Sequence, residues 1–218
     1  MTENVKRRIS FPLYIGALII TIIIFAIGFY TGSIFNQQIK EDLSQEVLRA
    51  GDRISALQLF FLLEDSEEFC PIYMQELSNL DYEIEKIGHR VAYLEEVKEV
   101  YDAKLKKDYF FLETSSYLIS TKVKQKCDSN YDILVYFYSN KKCESCKQQG
   151  EDILKARDEA TGKIIKIYSF DGELGSPVAD ALKDKFNVTV YPTTIINDKK
   201  IDGFISKESI ISKVNEND

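Results

Sequence analysis

The sequence predicts a chain built in three parts: an N-terminal transmembrane helix, an α-helical coiled-coil-like stalk, and an α/β C-terminal domain. Residues 11–30, FPLYIGALIITIIIFAIGFY, carry no charged side chain. Leu77, Leu80, Ile84, Ile87, Val91 and Leu94 recur in alternating steps of three and four. Past residue 131 the texture changes to short β-branched and aromatic runs that alternate with polar, helix-forming ones.

The apolar run meets the roughly 20 residues needed to cross a hydrocarbon core. A cleavable signal peptide has a shorter apolar stretch, about 7–15 residues, closed by a small-residue cleavage site. No A-x-A pattern follows here, so the run reads as a retained anchor in contact with membrane lipid. A soluble core helix is the rival reading, and it would need protein on every side. Lys6, Arg7 and Arg8 precede the span, whereas the far flank offers Lys40 followed at once by Glu41 and Asp42. The positive-inside rule then places residues 1–10 in the cytoplasm and everything past the span on the outer face of the cell membrane. Disulfides persist in such oxidising surroundings.

Bulk composition narrows the function classes. Thirty-five acids against 28 bases leave a net charge of −7, so no basic surplus is present to neutralise nucleic-acid phosphates. One histidine, His89, makes Cys–His or Ser–His–Asp catalysis hard to assemble and limits zinc chemistry. No Gly-rich phosphate loop, paired metal-ligand motif or serine-hydrolase elbow stands out, and no metal or cofactor is expected. Four cysteines remain: Cys70, Cys127, Cys143 and Cys146.

Residues 36–127 read as helix almost throughout. A first helix at about 38–64 turns Leu43, Val47, Ile54, Leu57 and Phe61 to one side, and EDSEE (64–68) breaks it. Pro71 suits the first turn of a second helix. That helix carries the heptad seam, which Tyr101 extends by one further heptad, giving a span of 77–101. Such a seam serves a hairpin within one chain or a homodimer equally. A third helix covers about 105–126. Cys70 and Cys127 each fall near a helix end, as a staple or as a second redox pair. Closing a loop of that length stabilises a fold by roughly 4 kcal/mol in the chain-entropy picture. His89 and the run KLKKD (104–108) read as solvated helix faces.

In the last region YDILVYFYS (131–139) is a buried strand by composition. Cys143-Glu144-Ser145-Cys146 opens a helix ended by Gly162, and KIIKIYSF (163–170) is a second strand. Ser176 and Pro177 start another helix, TVYPTTIIN gives a third strand, and KIDGFI a fourth. Ser206 caps a last helix, so the order is β-α-β-α-β-β-α. A helix N-terminus favours an anion through its free N–H groups and dipole. Cys143 is therefore the expected nucleophile, with Cys146 one turn further in. Lys141 and Lys142 add positive charge, and Glu144 opposes them.

This order, with C-x-x-C between the first strand and first helix and a Pro opening the third strand, resembles the thioredoxin-like superfamily over about residues 131–215. The resemblance implies a cis bond at Tyr191–Pro192, with Tyr191, Pro192 and Thr193 lining a substrate groove against the cysteines. The dipeptide Glu-Ser stands where Gly-Pro is usual, Lys142 replaces a Trp, and Tyr136 occupies the place of a buried acid. The activity implied is thiol–disulfide oxidoreduction on the thiols and disulfides of exported proteins. A non-catalytic binding or scaffold module with a structural Cys143–Cys146 bond is the alternative. A Cu(I) carrier ranks third, since no Met or His near the motif completes a site.

Overall fold

The computed structural model describes residues 11–63, 67–141 and 143–216. The expected cytoplasmic segment 1–10 with its basic cluster, residues 64–66 of the expected helix break, and Lys142 lie outside the described residues. The chain divides into two units, Met1–Leu43 and Ser44–Asp218.

The first unit consists of the N-terminal part of helix α1 (Phe11–Leu63). It is long and apolar enough to cross a membrane, and its apolar side chains from Phe11 to Phe35 are exposed all round. Its two threonine hydroxyls are satisfied locally: Thr21 donates to the carbonyl of Ala17 and Thr31 to that of Ile27, each at 2.9 Å. Such bonding to the preceding turn keeps polar atoms compatible with a helix in an apolar medium. The sequence places two elements here, at 11–30 and about 38–64. The structure has one, because Thr31, Gly32 and Ser33 continue the helix without a break.

Within the second unit, the C-terminal part of α1 runs antiparallel to α2 (Cys70–Glu96). Arg53 bridges Glu76 and Glu83 at 3.0 and 2.8 Å, and Phe61 stacks on Tyr73 with ring centroids 4.1 Å apart. The heptad positions Leu77, Leu80, Ile84, Ile87, Val91 and Leu94 are all buried, as are Val47, Ala50, Ile54 and Leu57 of α1. One chain therefore covers its own seam, and a homodimer through these positions would have to open the pair. The seam also stops at Leu94. Glu99 adopts a left-handed backbone (φ 54°), Val100 N–H bonds back to the carbonyl of Leu94 at 2.9 Å, and Tyr101 lies beyond the helix, exposed.

Asp102 then caps α3 (Ala103–Cys127), accepting hydrogen bonds from the N–H groups of Lys104 and Leu105 at 3.1 Å. α3 returns along α2. Gly88 marks the close approach: a Cβ there would stand 2.5 Å from the Tyr109 hydroxyl of α3. That contact accounts for a glycine in mid-helix, where it costs about 1 kcal/mol against alanine.

The sheet contains β1 (Tyr131–Tyr138), β2 (Ile164–Asp171), β3 (Thr193–Ile196) and β4 (Lys199–Asp202), in the order β2-β1-β3-β4. β1 runs parallel to β2 and antiparallel to β3, and β3 is antiparallel to β4. α4 (Glu144–Glu159) joins β1 to β2, α5 (Pro177–Phe186) joins β2 to β3, and α6 (Lys207–Asn215) ends the fold. β3 starts later than TVYPTTIIN suggests. Pro192 has no N–H to give to a ladder, and the Thr193 hydroxyl takes the Val190 carbonyl at 2.7 Å instead.

Each face of the sheet has its own core, following the alternation of a strand. Leu134 and Tyr136 of β1 pack with Ile153 and Ala156 of α4 and with Ile210 and Val214 of α6. On the opposite face, Phe137 meets Phe170 of β2, which packs edge-on against Phe110 of α3 at 5.5 Å. Tyr117 of α3 meets Tyr168 of β2 and Phe186 of α5. α3 thus joins α5 in covering this face. Of the helices that the sequence assigns to a stalk, α3 packs on the sheet through Phe110 and Tyr117, and α2 reaches β2 through Asp81.

The hairpin of α2 and α3 also closes the β2 edge. Asp81 pairs with Lys166, Glu85 takes Arg157 of α4 at 2.8 Å, and Glu113 accepts the N–H of Ser169 at 3.4 Å. Glu113 is 4% exposed, and burial pushes its carboxyl from the ordinary 4.5 up to about 8, against the opposing hydrogen bonds from Tyr109 and Ser169. An acid whose folded pKa is raised stabilises the fold in its protonated form. Its contribution is complete below about pH 4.5 and is lost as pH rises through about 8. Stability of the full-length chain in detergent should therefore fall across that window, by up to about 1.4 kcal/mol per pH unit, and Glu113→Gln should flatten the slope. Chemical denaturation across the window measures it, and an unchanged slope in the variant would remove Glu113 from the account.

Candidate functional site

Cys143 is the N-cap of α4 and is half-buried, while Cys146 in the first turn is buried. The two are joined as a disulfide with Cα atoms 5.3 Å apart. β1 ends at Tyr138, and Glu144 begins the helix just after Cys143. Asn140, Lys141, Cys143 and Glu144 line a shallow, open depression at this point.

Beneath the pair, Tyr136 donates its hydroxyl to the carbonyl oxygen of Cys146 at 2.6 Å. Tyr136 is 5% exposed, and burial holds its phenol well above the ordinary range. Where the resemblance leads one to look for a buried acid, this chain therefore places a neutral hydrogen-bond donor that fixes the first turn of α4.

Three loops meet at this end of the sheet. Tyr138, the last residue of β1, pairs with Asp171, the last of β2, and Phe137 pairs with Thr193, the first of β3. The loop leading to Cys143, the loop after Asp171 and the Tyr191–Pro192 segment accordingly leave the same end. The Tyr191–Pro192 peptide is cis. Pro192 is buried, and Thr193, fully buried, bonds Asp202 as well as Val190. Tyr191 turns its ring over Gly172, so closely that a Cβ there would stand 2.5 Å from ring carbons, and approaches Lys183 of α5. Thr193 therefore tethers β3 to β4, and of the three residues expected in a groove only Tyr191 is partly exposed.

A fourth segment joins them that the sequence did not single out. Lys106 of α3 lies in the KLKKD run read as a solvated face, yet it is 2% exposed. It donates to Glu95 at 2.7 Å, stands 3.8 Å from Asp171, and lies 5.8 Å from the ring centres of Tyr101 and Tyr138. Asp171 in turn accepts from the Asn140 side chain at 3.1 Å and from the Glu173 N–H at 3.0 Å, and the Ser139 hydroxyl bonds Glu173. The only signal in the sequence is weak: one lysine of three sits on the same face as Phe110 and Glu113, one turn and two turns ahead.

Cys70 and Cys127 form the second disulfide, with Cα atoms 5.5 Å apart. They join the first residue of α2 to the last of α3, at the opposite end of the hairpin from Glu95 and Lys106. At about 1.5 Å per helical residue, position 127 is about 30 Å along α3 from position 106. The bond clasps the hairpin and lies too far off to exchange directly with Cys143–Cys146.

No protein-family model and no curated protein matches the chain. Similar solved structures include one described as a malarial protein, 25% identical over 40% of this chain and 97% of that one, with a TM-score of 0.34. Thioredoxin-2, a component of malaria parasite protein secretion machinery, is 26% identical over 40% and 84%, also at 0.34. Thioredoxin O2 from Arabidopsis thaliana is 17% identical over 46% and 87%, at 0.35. The region from β1 to α6 is thioredoxin-like in its element order and in placing C-x-x-C at the start of its first helix.

The clasp has a measurable consequence. Replacing Cys70 and Cys127 together with serine should destabilise the chain by about 4 kcal/mol, because a loop of that length is released in the unfolded state. The reduction potential of Cys143–Cys146 should stay where it was. A shift in that potential would mean that the two disulfides are coupled.

Proposed function

We propose that the chain is a membrane-anchored thiol–disulfide oxidoreductase that exchanges disulfides with exported proteins on the outer face of the cell membrane. The observation that carries this reading is the pairing of a half-buried Cys143 at a helix N-cap with a buried Cys146 in the first turn. In this reading α1 holds the chain in the bilayer through its exposed apolar stretch, with the N-terminus inside.

The chemistry balances in either direction. In reduction of a substrate, the Cys143 thiolate attacks one sulfur of the substrate disulfide. An S–S bond forms to Cys143, and the other substrate sulfur leaves as thiolate and takes a proton from water. Cys146, deprotonated, then attacks the Cys143 sulfur, and the second substrate sulfur leaves. Two electrons have passed to the substrate, and the Cys143–Cys146 bond has formed. Run backwards, the same steps oxidise a substrate dithiol.

The positions of these groups support the roles. The α4 N-terminus offers free N–H groups and a positive dipole end to a Cys143 thiolate. Cys146 is shielded from solvent, so it meets only the sulfur attached to Cys143. Tyr191, partly exposed at the same end of the sheet, is the candidate for contact with a bound substrate, with Pro192 and Thr193 behind it.

Replacing Cys146 with serine should arrest the reaction at the first step and leave substrates disulfide-linked to Cys143. Cells expressing the full-length variant should yield these conjugates on non-reducing gels, dissolved by dithiothreitol and absent when Cys143 is also replaced. Recovery of no conjugate from either variant would favour a binding or scaffold role in which the Cys143–Cys146 bond is structural.

A further inference from the structure

We infer that Lys106, contributed by α3 from outside the thioredoxin-like region, is a positioning residue for the Cys143 loop, acting through Asp171 and Asn140. The inference rests on the exchange reading and extends it to a group that touches neither cysteine.

Lys106 is a cation with almost no exposure, and such a group is retained only where acids balance it. Glu95 comes from α2 and Asp171 from the end of β2, with the rings of Tyr101 and Tyr138 against its sides. Tyr109 and Glu113 of α3 and Tyr136 of β1, which stacks on Tyr138, are further titratable groups around Tyr138. On the far side, Cys143 is bordered by Lys141 and Glu144. Glu95 Oε1 is buried with no hydrogen-bond partner among the described residues, so Lys106 is the group that makes its burial tolerable.

Asp171 transmits the effect. Its two oxygens are divided between the Asn140 side chain, three residues before Cys143, and the Glu173 N–H. Glu173 holds the Ser139 hydroxyl, which accepts the Lys141 N–H at 3.1 Å. Asp171, whose countercharge is Lys106, thus holds Asn140 directly, and its bond to the Glu173 N–H places the carboxylate that holds Ser139. With the lysine present, the three charges sum to −1. Without it they sum to −2 behind a sulfur that must become an anion, and like charge disfavours a thiolate.

The test is the pH dependence of iodoacetamide alkylation at Cys143 in the reduced full-length chain in detergent, read on the Cys143 peptide by mass spectrometry. Lys106→Met should raise the apparent thiolate pKa and slow alkylation at neutral pH by about three- to tenfold. Lys106→Arg should restore most of the rate, since it keeps the charge. Adding Asp171→Asn to Lys106→Met should restore part of it by removing the unbalanced acid. Should Lys106→Met not fold, Asn140→Ala cuts the last link at an exposed side chain and is expected to slow alkylation in the same direction. A lowered melting temperature with an unchanged pH profile would make Lys106 a structural ion pair and overturn the inference alone. If wild-type Cys143 alkylates no faster than a free cysteine, the exchange reading fails and this inference falls with it.

Discussion

A four-stranded sheet with β1 near its centre has two faces and two edges to keep from water, and the sequence after residue 131 supplies three helices for the task. α4 and α6 fill one face. α5, a short helix, cannot cover the other, where Phe137, Phe170 and Tyr168 need partners. α3 provides them through Phe110 and Tyr117, and the same hairpin buries the β2 edge under Asp81 and Glu113. An uncovered edge is a template for pairing with other chains. The opposite edge, β4, is short and carries Lys199 and Lys200, which guard it in another way. The α2–α3 hairpin and the sheet are therefore one folding problem.

That constraint explains why charged groups lie so deep. α2 and α3 bring Glu95, Lys106 and Glu113 to a surface that sheet atoms then close, and each finds a partner within it: Lys106 for Glu95, Tyr109 and a strand N–H for Glu113. Such groups contribute little net stability compared with apolar residues of equal volume, but losing one partner leaves the other buried and exposed to the full desolvation cost. The Cys70–Cys127 bond holds the far end of the same hairpin, so both ends are tied: one by covalent linkage, one by charge.

How much of this was legible in the sequence follows from the range of the signals. The strands and helices of the last region were readable because period-2 and helical patterns are local, and Ser206 and Pro177 mark starts with chemistry that acts within one turn. The place of Cys143 and Cys146 at the start of α4 follows from the C-x-x-C spacing together with the strand before it and the helix after it. The seam from Leu77 to Leu94 announces an apolar stripe, but a stripe does not name its partner, and only the fold shows it buried within the same chain. Composition changes near residue 130, but side-chain contacts from α2 and α3 to β2 cross that point, and such contacts leave no local mark in the sequence. Lys106 was read as solvated because a lysine among lysines carries no local sign of burial. Its partners, Glu95 and Asp171, lie on other elements, and only tertiary structure brings them to it. Tyr136 is intermediate: its place opposite the cysteines could be inferred by resemblance, but the hydroxyl bond to Cys146 could not.

The central claim is that the Cys143–Cys146 bond is made to be broken. The direct measurement is its reduction potential in the full-length chain, equilibrated against glutathione buffers in detergent with the Cys70–Cys127 pair tracked separately. The account predicts a value in the span of exchange-active proteins, from about −120 to about −270 mV. A value below about −300 mV, the range of structural disulfides, would contradict it.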